Sequence, residues 1–82
     1  MFIFDLIMDN PVGDVMNLIK KYRLKKPDFQ FKKNQGKWQC TCVITLEDTQ
    51  LRETALGQTK KEVKTQTARA ILPILKEHLQ SS

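Results

Sequence analysis

The sharpest alternation in the chain runs through Trp38, Cys40, Cys42, Ile44 and Leu46, which fall on one face, while Gln39, Thr41 and Thr45 fall on the other. A period of two in strand-forming residue types predicts a half-buried β-strand with the first set turned inward, Val43 being the one apolar residue on the outer side. A shorter alternation precedes it: Phe29 and Phe31 interleave with Gln30 and Lys32, and Asn34, Gln35 and Gly36 then supply turn residues. Together these predict a hairpin. Glu47 to Gln50 reads as a polar turn, and Leu51 to Ala55 as a third strand before a turn at Gly57, giving an antiparallel sheet.

The flanking segments change period. Val12, Val15, Ile19 and Tyr22 recur three and four residues apart, with Met16 and Leu18 beside them, and predict a helix over roughly 11 to 23. Either Asn10 or Asp9 can cap it, and Pro11 at the first helical position gives up only an N–H that would be orphaned there. Pro27 ends any continuation and forces Lys26 toward extended geometry. From Lys60 to at least Leu72 a second helix is predicted, with Val63, Thr67, Ala70, Ile71 and Ile74 inward and Ala68 small enough for close approach. Pro73 should kink or end it, at a cost of about 3 kcal/mol, leaving Ile74 to Leu79 as a further turn or two and Gln80 to Ser82 frayed. The order helix, three antiparallel strands, helix predicts an α+β two-layer domain with both helices on one face.

Eighty-two residues suffice for one small domain, expected here over 9–79 and preceded by an apolar arm at 1–8. That arm is too short to span a bilayer and lacks the basic flank of a secretory signal, so no membrane role is expected. Cys40 and Cys42 share a strand face too close in sequence for a relaxed disulfide, which implies buried thiols and a reducing, intracellular setting, nuclear or cytoplasmic. His78 has no Cys or His at ligand spacing, so no metal is expected. No paired carboxylates, activated nucleophile or phosphate-binding glycine loop is present, which argues against an enzyme, a cofactor or a small-molecule substrate.

Charge points elsewhere. Fourteen Lys and Arg against nine Asp and Glu give a net charge of +5, and twelve of the fourteen gather in three blocks: Lys20, Lys21, Arg23, Lys25, Lys26; Lys32, Lys33, Lys37; and Lys60, Lys61, Lys64, Arg69. Such a balance favours an anionic partner. Within the third block Thr59 is a good N-cap and Gly57 allows the turn before it, so the second helix starts near Lys60 with three lysines on its first turns. The helix dipole disfavours cations at that end. The cluster is therefore either a solvated helix start or an anion site, in which free N–H groups, dipole and ammonium groups attract one phosphate-bearing partner.

With its elements in this order, the chain from Asp9 to about Leu75 resembles a double-stranded RNA-binding domain. Asn10, Pro11, Val12, Gly13 open the first helix as in many members, and Pro27, Asp28, Phe29 stand where the family has Pro-x-Tyr or Pro-x-Phe. Trp38, Cys40 and Cys42 fill the aromatic and apolar slots of the second strand, and Gly57 through Lys64 matches the closing Gly-x-Ser/Thr-Lys-Lys-x-Ala-Lys. Ala68 matches an alanine in the run that follows.

The resemblance implies binding of duplex RNA by shape, across two minor grooves and the phosphates between them, over roughly 16 base pairs and with little sequence preference. It implies that Lys60, Lys61 and Lys64 hold phosphates across the major groove. Met16, Asn17 and Lys20 of the first helix would face one minor groove, and Lys33, Asn34, Gln35 and Lys37 of the first hairpin loop the next. The sequence departs from the family at Met16 and Asn17, where Gln and Glu are usual, and in lacking the Gly-Pro-x-His loop. Ala55 replaces a common glycine, and Gln66 and Thr67 replace alanines, Thr67 at some cost to close helix packing. The other use that the resemblance implies is protein association or dimerisation, through Met16, the 1–8 arm and Val43.

Overall fold

A computed structural model describes residues 10–80. The 1–8 arm, the alternative cap Asp9 and the terminal serines lie outside the described residues. The element order is α1 (Pro11–Lys21), β1 (Asp28–Asn34), β2 (Lys37–Thr45), β3 (Gln50–Gly57) and α2 (Lys60–Gln80). The strands form one antiparallel sheet in the order β1-β2-β3, so the α+β arrangement is as the periodicities predict.

β2 sets the layers. Its Cys40, Cys42 and Ile44 are fully buried, and the register places Phe31 and Ala55 across from Cys40, Phe29 and Glu53 across from Cys42, and Leu51 across from Ile44. Because side chains alternate along each strand, all of these turn to the helix side. α2 closes over β2 and β3 with Val63, Thr67, Ala68, Ile71 and Leu75, and α1 packs on α2 with Val15 and Ile19. Ala68 and Leu75 thus take inward places predicted for Ala70 and Ile74, which are only half-buried.

Local chemistry sets the ends of the elements. Asn10 caps α1, its Oδ1 accepting from the Gly13 N–H at 3.1 Å. At the other end Arg23 turns left-handed, with φ of 56°. Its N–H donates to the Lys20 carbonyl at 3.2 Å, and the Leu24 N–H donates to Ile19 at 2.9 Å, the paired bonds of a Schellman cap. Tyr22 therefore leaves the helix before it can extend the apolar stripe and stays 42% exposed, contrary to the periodicity. Gln35 and Gly36, with φ of 53° and 80°, form a two-residue hairpin turn whose twist matches that of the strands.

α2 departs further from expectation. Of the kink or end expected at Pro73, the end does not occur: the helix continues over Ile74 to Leu79 and includes Gln80, which is helical rather than frayed. Pro73 is on the exposed side, so its ring meets solvent rather than the sheet, while Ile71 and Leu75 on either side are fully buried. Burying such a pair contributes roughly 3–6 kcal/mol, enough to offset the proline. Thr67 is also more than a packing cost: its single hydroxyl proton is shared between the Val63 carbonyl at 2.6 Å, the main acceptor, and the Cys40 carbonyl at 3.3 Å, a weaker second arm that reaches from α2 to the central strand.

Ile44 is, with Ile71, among the largest fully buried side chains. Ile44→Ala should lower unfolding free energy by about 2–4 kcal/mol in urea titrations; a loss under about 1 kcal/mol would show that the helices do not close over β2 there.

Candidate nucleic-acid interface

The basic start of α2 is built from a strand end. β3 finishes at Gly57, paired with Trp38, and α2 begins three residues later. Gly57 serves by its size rather than by an unusual backbone angle. A Cβ there would lie 2.6 Å from Val63 Cγ1 and 3.0 Å from Glu62 Oε1, so glycine lets the first turn of α2 sit against the sheet. Thr59 is the cap: its Oγ1 accepts from the Glu62 N–H at 3.1 Å. In return Glu62 Oε1 accepts from the Gln58 N–H at 2.8 Å. This reciprocal pair satisfies two orphan donors and puts a carboxylate where the dipole favours one, offsetting the lysines around it.

Lys60, Lys61 and Lys64 all project from these turns, and two of them lie over aromatic rings. Lys60 Nζ is 4.9 Å from the centre of the Trp38 ring and 5.7 Å from that of Phe31. Lys64 Nζ is 5.0 Å from the centre of Phe29. From the hairpin, Lys33 Nζ reaches the same Trp38 at 5.4 Å. The structure thus brings together Lys33 of β1 and Lys60 of α2, two predicted site residues 27 positions apart, around one indole.

The remaining site residues separate into other surfaces. Asn34 and Lys37 pair with each other and, by strand alternation, face the open side of the sheet, with Gln35 at the turn tip. Lys61 lies on the flank of α2 with Thr59, Thr65, Gln66 and Arg69 around an open groove. On α1, Asn17 and Lys20 are exposed and Met16 is half-buried. Met16 and Val43 do not share a surface, since Val43 faces away from the helices.

In the sequence Phe29, Phe31 and Trp38 stand out as alternating strand residues and, for Phe29 and Trp38, as positions of the family motif, with no sign of a lysine partner. Their place beneath Lys60 and Lys64 follows from alternation combined with the i, i+4 spacing of those lysines, but only once the register of β2 against β3 is known. No described helix is long and apolar enough to cross a membrane. Compared with known proteins, the chain matches no family model and no curated protein.

Both thiols are free and buried at the centre of the sheet. Burial, with Cys40 and Asp28 adding to it and Lys64 opposing, pushes the Cys42 thiol up from 9.0 to about 12. The folded state thus keeps a proton that the unfolded chain releases, and this contribution is intact below pH 9.0 and lost as pH climbs toward 12. The difference in urea midpoint between wild type and Cys42→Ala should accordingly stay constant below pH 9.0 and shift against wild type above it. A difference that stays flat to pH 10.5, about midway between 9.0 and 12, would contradict the burial of this thiol.

Proposed function

We propose that this domain binds double-stranded RNA by shape, with Lys60, Lys61 and Lys64 holding phosphates at the start of α2. The observation that carries the reading is the convergence of Lys33 and Lys60 on Trp38 beside Lys64. Two elements distant in sequence, the first hairpin and the head of α2, there offer ammonium groups to one ligand. The helix dipole adds to the attraction for phosphate, while the Gln58 and Glu62 N–H groups are taken up by the capping pair. The order of elements and the Gly57 to Lys64 motif support the same reading, through the resemblance to double-stranded RNA-binding domains.

In this mechanism the α2 lysines bridge the major groove as flexible point charges and supply affinity rather than sequence readout. Asn17 and Lys20 of α1 touch one minor groove. Asn17 can both donate to and accept from a ribose 2′-hydroxyl, and Met16 adds only apolar contact. Asn34, Gln35 and Lys37 approach the next groove from the hairpin, while Lys33 stands with the α2 lysines over Trp38. The domain carries no chemistry of its own on this reading and works in a reducing intracellular compartment, where Cys40 and Cys42 remain thiols.

Lys60→Ala, Lys61→Ala and Lys64→Ala combined should weaken duplex RNA binding and flatten the dependence of log affinity on log salt by roughly one unit per lost phosphate contact. Filter binding across a salt series measures both, and a triple variant that binds as tightly as wild type with the same slope would overturn the assignment.

A further inference from the structure

Lysine is a poor anchor when free, because its ammonium group ends a long flexible stem that a ligand must immobilise. In this domain two of the three α2 lysines lie over aromatic rings. Lys60 Nζ rests 4.9 Å from the Trp38 ring centre and 5.7 Å from that of Phe31, and Lys64 Nζ rests 5.0 Å from that of Phe29. The three rings are half-buried, on the helix-facing side of β1 and β2, so the sheet fixes where each one lies. The matching spacings explain the fit. Phe29 and Phe31 are two apart on a strand, Trp38 stands across the hairpin from Lys33, and Lys60 and Lys64 are one helical turn apart above them.

An aromatic face holds a cation differently from a carboxylate. The ring quadrupole attracts the ammonium group but carries no net charge, so the lysine keeps its full charge and its outward N–H donors for an incoming phosphate. The acid on the same turn, Glu62, is committed to the Gln58 N–H at 2.8 Å. We propose that Phe29, Phe31 and Trp38 are positioning residues, an aromatic floor that holds the Lys60 and Lys64 ammonium groups at fixed points for capture of RNA phosphates. This rests on the RNA-binding reading and adds to it a reason for the rings. Lys61, which has no ring beneath it among the described residues, contributes charge without that restraint.

A double-variant cycle tests the floor. Wild type, Trp38→Leu, Lys60→Ala and the combined variant are titrated with one duplex RNA at one salt concentration, together with Trp38→Phe. Trp38→Leu should weaken binding about two- to fivefold, the size expected of a partly exposed cation–π contact. Lys60→Ala should then cost less in the Trp38→Leu background than in wild type by a similar factor, and Trp38→Phe should stay within about twofold of wild type. Losses that simply multiply in the combined variant, or a Trp38→Phe as weak as Trp38→Leu, would overturn the proposal and leave RNA binding standing. A wild type without affinity for duplex RNA would instead remove the RNA reading, and the floor with it. Should Trp38→Leu fail to fold, the free wild-type protein still decides: the Lys60 Hε protons should be shifted upfield of those of Lys61 by the ring current, and coincident shifts would overturn the proposal.

Discussion

The register of β2 is the constraint on which the rest depends. Its side chains alternate strictly, and a slip of one residue would exchange Cys40, Cys42 and Ile44 for Thr41, Val43 and Thr45 on the helix side. The Gln35–Gly36 turn fixes the register toward β1, because a two-residue turn leaves only one pairing, Asn34 with Lys37. From there the rings of Phe29 and Phe31 and the indole of Trp38 follow on the inward face. The same register carried to β3 brings Gly57 opposite Trp38, which is where α2 must start.

The basic helix start is thus a consequence of sheet geometry rather than of helix propensity. Three lysines in the first turns oppose the macrodipole, and the chain counters this with the Thr59 cap, with Glu62 turned back to the Gln58 N–H, and with rings beneath Lys60 and Lys64. Gly57 makes this possible by leaving room for Val63 and Glu62, which a Cβ would displace. Thr67 adds a second tie between α2 and β2 through the Cys40 carbonyl. An arrangement that disfavours an isolated helix favours an anionic ligand laid across it.

Much of this was legible in the residues. Period two in β2, period 3.6 in α1, the Asn10 and Thr59 caps and the polar turns lead to the observed element order. What was not legible involved competition between local and tertiary effects. Pro73 breaks a helix by local rules, yet the burial of Ile71 and Leu75 carries α2 past it. Arg23 closes α1 in a conformation normally left to glycine, and nothing in its identity signals this. In the candidate site the lysines were visible as a motif, whereas the aromatic floor depends on contacts between β1, β2 and α2 that no single segment encodes.

The account stands on duplex shape, phosphate charge and little else, so the choice among nucleic acids tests it most directly. The measurement is affinity for a duplex RNA longer than roughly 16 base pairs. It is compared with duplex DNA and single-stranded RNA of the same sequence, at about 50 and 200 mM salt. The account predicts that duplex RNA binds at least about tenfold more tightly than either competitor at the higher salt, where nonspecific attraction is screened. Equal affinity for all three at both salt concentrations would contradict it and reduce the basic surface to plain charge.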